Sequence, residues 1–127
     1  MSQIGVALLG CGFIAEIHAD CYRRFVRAAR VEAVVGRSEE KVRAFAERFA
    51  IPRWFTDWRQ ALALEHVQIA DICLPNYLHA PVTIEAAAAG RHVICEKPLC
   101  MNLQEADRMM AACRQAGVHL MYAEELC

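Results

Sequence analysis

The sequence predicts an α/β domain, a doubly wound parallel sheet covered by helices on both faces. Short apolar runs alternate with segments of helical periodicity along the chain. The first apolar run stops at Gly10-Cys11-Gly12, and a helical pattern begins at once. The residues with the most distinctive chemistry fall where strands end, on the edge where sheets of this class hold ligands.

The first strand covers Val6 to Leu9. The helix after the glycines repeats Ile14, Ile17, Cys21 and Phe25 on one face. Strand, glycine turn and helix together form G-x-G-x-x-A, the fingerprint of a Rossmann-type dinucleotide-binding unit. Gly10 permits the sharp turn, Gly12 lets a pyrophosphate approach the backbone, and Ala15 keeps the helix close to the strand. Phe13 and Ile14 lie in the same loop, where the helix directs free N–H groups and its positive dipole end at the phosphates.

Arg30 to Val35 is the second strand, ending at Gly36-Arg37-Ser38. Ser38 caps the next helix, with Glu39 and Glu40 in its first turn and Val42, Phe45, Ala46 and Phe49 at helical spacing. Pro52 is expected to end it. Trp54-Phe55 is a short third strand, and Asp57 caps a short helix carrying Trp58, Ala61 and Leu62. A fourth strand lies in the second half of Val67 to Leu74, a run broken by Asp71, and ends at Pro75-Asn76. Pro81 to Ala89 is helical and stops at Gly90. His92 to Cys95 is the fifth strand, ending at Glu96-Lys97-Pro98. Asn102 and Glu105 form a capping box for a helix that buries Leu103, Ala106, Met110 and Cys113 and stops at Gly117. Val118 to Tyr122 is the sixth strand. Right-handed crossovers bring four loops to one edge: Gly10–Ala15, Gly36–Ser38, Pro75–His79 and Glu96–Pro98.

The 127 residues suit one domain, 1–127, with 57% hydrophobic and 23% charged residues. A net charge of −1 gives no reason to expect nucleic acid or an anionic membrane as partner. No apolar run is long enough to span a bilayer, and Met1-Ser2-Gln3 leads straight into the first strand, so no signal peptide is expected. Seven cysteines without a C-x-x-C pair argue against a zinc site or a disulfide framework. No metal is expected. Reduced thiols and a cytoplasmic location are the expectation.

Three of the four loops carry further candidate chemistry. The second strand ends in Gly36 without the carboxylate that binds ribose hydroxyls in NAD-binding domains, and Arg37 follows. Arg37 can pair with a 2′-phosphate or stack on adenine, which favours NADP over NAD; the alternative is a solvated arginine. Ser38 adds a hydroxyl or merely caps the helix. Lys97, between a buried strand and Pro98, can donate to a substrate oxygen or exchange a proton; the alternative is a surface lysine paired with Glu96. Asn76 and His79 stand in the Pro75 loop. His79 is either a partner for cofactor or substrate, or a helix-start histidine bonded to backbone. His18, His66, His92 and His119 lack paired ligand spacing and are read as structural.

G-C-G-F-I-A-E-I-H-A, D-I-C-L-P-N-Y-L-H-A-P and H-V-I-C-E-K-P-L occur in this order. Together they resemble the glucose–fructose oxidoreductase, inositol dehydrogenase and rhizopine-catabolism family (Gfo/Idh/MocA). The resemblance covers nearly the whole chain and implies an NAD- or NADP-dependent oxidoreductase acting on a sugar, cyclitol, diol or related carbonyl compound. It assigns Gly10, Gly12 and Ala15 to the pyrophosphate, and Gly36, Arg37 and Ser38 to the adenosine ribose. Pro75, Asn76 and His79 would line the nicotinamide half, with Glu96 and Lys97 in the E-K-P motif and Lys97 as its catalytic lysine. It also implies a second domain, an open antiparallel sheet that supplies further catalytic residues and often a dimer interface. The chain ends at Glu124-Glu125-Leu126-Cys127, where the family's chain passes into that domain. The expectation is a cofactor domain that binds dinucleotide and is incomplete for turnover. A dinucleotide-binding module without catalysis is the competing function, and a methyltransferase domain a weaker one.

Overall fold

The computed structural model describes residues 3–123. Residues 124–127, where the resemblance places the passage to a second domain, lie outside them. The elements alternate as expected: β1 (Ile4–Leu9), α1 (Phe13–Phe25), β2 (Ala29–Val35), α2 (Glu39–Arg48), β3 (Arg53–Phe55), α3 (Trp58–Leu62), β4 (Ile69–Ile72), α4 (His79–Ala88), β5 (His92–Glu96), α5 (Leu103–Ala116) and β6 (Leu120–Ala123). A 3₁₀ turn, Asn76–Leu78, precedes α4. Among the described residues six strands form one sheet in the order β3-β2-β1-β4-β5-β6, and every neighbouring pair is parallel. This is a Rossmann-like doubly wound sheet.

The pleat divides the core between two faces. Leu8 packs with Ala15, Val34, Val42 and Phe45 under α1 and α2. Its neighbours Ala7 and Leu9 pack with Ile72, Val82, Val93 and Met109 on the opposite face. Strands buried on both faces read as continuous apolar runs, which is why β1 is legible as a strand but not as a one-sided one.

Helix ends follow local chemistry. Ser38 accepts from the Lys41 N–H, Asp57 from Arg59 and Asn102 from Glu105. The Glu105 carboxylate reaches back to the Met101 N–H at 2.7 Å, one residue before the position of an ordinary capping box. Gly90 and Gly117 end α4 and α5 in the left-handed region, at φ 79° and 71°. α2 stops before Pro52, contrary to the expectation. The Ile51 N–H bonds the Ala46 carbonyl at 2.8 Å and the Ala50 N–H bonds Glu47 at 3.3 Å. This is a Schellman closure with Ala50 at φ 56°, where glycine is usual.

Two buried faces differ from expectation. α1 buries Ala15, His18, Ala19, Cys21 and Tyr22, whereas Ile14, Ile17 and Phe25 are exposed. Close helix–sheet packing selects the alanines, and a buried polar group on the sheet selects His18 and Tyr22; apolar periodicity detects neither. α5 buries Met109 and Cys113, whereas Leu103 and Met110 are exposed. Cys21 is disulfide-bonded, a correction to the expectation of reduced thiols throughout, since spacing along the chain does not report which sulfurs the fold brings together. Cys11, Cys73, Cys95, Cys100 and Cys113 are free.

Candidate functional site

The strand order reverses between β1 and β4, so the crossovers leaving their C-terminal ends diverge to opposite faces and open a crevice. A cleft of about 490 Å³ occupies that point. Gly10, Gly12, Phe13, Ile14, Gly36, Arg37 and Pro75 line it. The fold thus brings together loops that the sequence keeps up to 65 residues apart, from Gly10 to Pro75.

Gly10 makes the turn. Its φ is 120°, and a Cβ there would collide with the Cys73 carbonyl on the facing strand end. A Cβ on Gly12 would meet nothing within 4 Å, so this backbone borders open cradle space. Ala15 is fully buried and seats the helix on the sheet. Gly12 is the N-cap of α1 and supplies no side-chain hydrogen bond, in contrast to the capped starts of α2, α3 and α5. The first-turn N–H groups of α1 lack intrahelical acceptors and face the cleft end of the helix. An uncapped N-terminus, a side-chain-free approach and a tight turn fit the pyrophosphate of a dinucleotide. Cys11 packs toward the end of β2, where a Cβ on Gly36 would strike its sulfur. Burial pushes the Cys11 thiol pKa up, against the opposing charge of Lys41.

Arg37 is exposed on the cleft wall, and no ion pair among the described residues includes it. Ser38 is half-buried and spends its hydroxyl on capping, 3.3 Å from the Lys41 N–H. Trp58 and Thr56 also line this wall and were not foreseen. The Trp58 indole N–H donates to Glu85 at 2.8 Å, and the Arg59 guanidinium lies 5.1 Å from its ring centre. The signal was present: both follow β3 at the ligand edge of the sheet.

On the other side Pro75 lines the cleft, while Asn76 is exposed in the 3₁₀ turn. His79 is buried, and its ring nitrogens lie 2.7 Å from the Pro98 carbonyl and 2.8 Å from the Leu74 carbonyl. It ties the Pro75 loop to the Glu96–Pro98 loop. Lys97 is exposed at the end of β5, with a cis bond to Pro98. It is not paired with Glu96: that carboxylate is 2.7 Å from His18 Nε2.

His18 is the residue the spacing argument undervalued. Its Nδ1 lies 2.8 Å from Asp71 Oδ2, and the Tyr22 hydroxyl donates to the same oxygen at 2.8 Å. Burial opposes the imidazolium, but hydrogen bonds and charge from Asp71 and Glu96 outweigh it and hold the His18 pKa above its usual value. His18, Asp71 and Cys73 bring three ligand-type atoms within 4.8 Å. A thiolate would be needed for strong metal binding, whereas burial and then the Asp71 charge push the Cys73 pKa well up. The group is therefore read as a hydrogen-bonded cluster. An Asp inside an apolar strand was its visible signal.

Comparison with known proteins agrees with this geometry. The profile of an oxidoreductase family with an NAD-binding Rossmann fold (Gfo/Idh/MocA) matches residues 4–124. D-apiose dehydrogenase of Paraburkholderia graminis is 36% identical over 118 residues, covering 93% of this chain and 31% of its own. Among solved structures, the WlbA dehydrogenase of Bordetella pertussis, in complex with NADH and UDP-GlcNAcA, superposes with a TM-score of 0.90 at 30% identity, covering 96% of this chain and 35% of its own. Biliverdin reductase of Synechocystis, in complex with biliverdin and NADP+, gives 0.86 at 25% identity, covering 94% and 37%. The chain spans about a third of the length of these relatives.

Proposed function

Because the chain belongs to the Gfo/Idh/MocA oxidoreductase family, we propose that it is the cofactor domain, residues 1–127, of a dehydrogenase acting on a CH–OH group of a sugar, cyclitol or diol. The observation that carries this reading is the uncapped start of α1 beside Gly10 and Gly12 at the point where the strand order reverses. When bound there, a nicotinamide cofactor supplies the site for hydride exchange. The residues do the rest. The first-turn N–H groups of α1 hold the pyrophosphate. Arg37, exposed and unpaired on the wall after β2, faces the adenosine end and makes NADP the preferred cofactor over NAD. Pro75 and Asn76 border the nicotinamide half, and His79 braces that loop from behind. Lys97 is the catalytic residue: as an ammonium it donates to a substrate oxygen and gives up a proton when a carbonyl is reduced, and as the neutral amine it takes the proton when the alcohol is oxidised.

A dinucleotide-binding module without turnover is the second reading. Its support is the exposure of Lys97, which within the described residues is not enclosed with a substrate. Among the described residues no helix is long and apolar enough to cross a membrane. A cytoplasmic location is part of the proposal and fits the five free thiols among the described residues; the Cys21 disulfide stands against it. Association of copies is also proposed, supported by exposed apolar side chains such as Phe13, Phe25 and Leu103.

The test is a calorimetric titration of the purified chain with NADPH and NADH. The proposal expects saturable binding of both and a lower Kd for NADPH. Binding of neither would overturn it, and a lower Kd for NADH would reverse the cofactor preference.

A further inference from the structure

The cluster beneath Lys97 joins three elements. His18 comes from α1, Asp71 from β4 and Glu96 from the end of β5. His18 and Asp71 are 1% and 0% exposed and Glu96 is 15% exposed. The imidazole meets one carboxylate at each nitrogen, at 2.8 Å and 2.7 Å. A neutral ring carries one N–H and serves one of them; the other carboxylate then faces a bare lone pair. Both contacts are satisfied together only when the cluster holds one more proton, most simply as an imidazolium between two carboxylates. Glu96 is the residue immediately before Lys97.

We propose that His18 is a positioning residue: bridging Asp71 to Glu96 through both ring nitrogens, it fixes the C-terminal end of β5 and with it the placement of Lys97. The importance of that placement rests on the catalytic reading of Lys97. The clasp itself does not. It also keeps Glu96 turned inward, so that the carboxylate does not neutralise the neighbouring ammonium.

The clasp depends on pH, and the groups facing His18 settle in which direction. They are Asp71 and Cys73 on or just past β4 and Glu96 on β5, with Tyr22 of its own helix bonded to the same Asp71 oxygen. Burial and then Asp71 push Tyr22 and Cys73 well above their usual values, so both stay neutral. The His18 proton is therefore the first to leave as pH rises. The pKa is raised in the fold, so the stabilisation is fully present below about pH 6.5, the unfolded value. It is lost as pH climbs through the folded value. Glu96, the least buried member, then swings free of the ring.

Nuclear magnetic resonance of this chain tests the clasp without turnover. His18 ring nitrogens and the Lys97 backbone amide are followed across pH in the wild type and in Glu96→Gln. The glutamine carbonyl still accepts one ring N–H, so this variant retains packing where a His18 substitution risks the fold. The expected wild-type result is a His18 midpoint above 6.5 and a Lys97 amide inflection at the same midpoint. In Glu96→Gln the His18 midpoint falls by roughly one unit or more, and the Lys97 inflection at the wild-type midpoint disappears. A wild-type His18 midpoint at or below 6.5 overturns the proposal. So does a Lys97 amide that ignores His18, or an unchanged inflection in Glu96→Gln. A catalytic role for Lys97 is judged separately, from turnover.

Discussion

Arg37 separates a cofactor preference from a surface charge. It stands on the cleft wall after a strand that ends in Gly36, where no carboxylate repels a phosphate. Ser38, the other hydroxyl-bearing candidate, is committed to its helix. Arg37→Ala is expected to weaken NADPH by about 1–3 kcal/mol, the range of a charge-assisted hydrogen bond, and to change NADH much less. Calorimetric titration of both cofactors against both proteins checks it. Equal losses for the two cofactors would make Arg37 a general electrostatic contributor and remove the 2′-phosphate from the argument. His79 illustrates the opposite outcome at the same scale. Of its two readings, ligand partner or helix-start histidine bonded to backbone, the carbonyls at its two nitrogens fit the second, and it braces two loops.

At the scale of elements, α2 carries a local strain that the sequence hides. Ala50 occupies the left-handed position of the Schellman closure, where a Cβ crowds the following carbonyl. Ala50→Gly is expected to stabilise the chain by about 1 kcal/mol, offset in part by glycine's greater unfolded-state freedom. Urea denaturation checks it: the midpoint rises at constant slope, and a lowered midpoint would mean that Ala50 gains more from its contacts than it loses in strain. The elements themselves were legible. Gly10-Cys11-Gly12, Ser38, Asp57, Asn102, Gly90 and Gly117 are local signals whose chemistry acts within a few residues. Helix faces were less so. Ile14, Ile17 and Phe25 dominate an apolar periodicity, yet packing against the sheet chose Ala15, Ala19 and a polar pair. Of the Asp71–His18–Glu96 cluster only the Asp inside an apolar strand was legible; Asp71 and Glu96 lie 53 and 78 residues from His18, and only the sheet order makes the three neighbours. The strain at Ala50 was hidden too, since Pro52 offered a simpler stop.

At the scale of the whole molecule, one topological fact gathers the site. With β1 central and β4 its neighbour on the far side, the loops after both strands open toward a common crevice. Every part of the proposed cofactor contact follows from that placement: the glycine turn, the uncapped helix, Arg37 after β2, and Pro75 after β4. The most direct measurement is a titration of the ¹⁵N-labelled chain with NADPH, followed by amide chemical shifts, with S-adenosylmethionine as control. The account predicts saturable shifts concentrated at Gly10–Ala15, at Gly36 to Ser38 and in the loop from Leu74 to Leu78. It also predicts no saturable response to the control. Shifts confined to another face, saturation by S-adenosylmethionine instead, or no response to NADPH at millimolar concentration would contradict it.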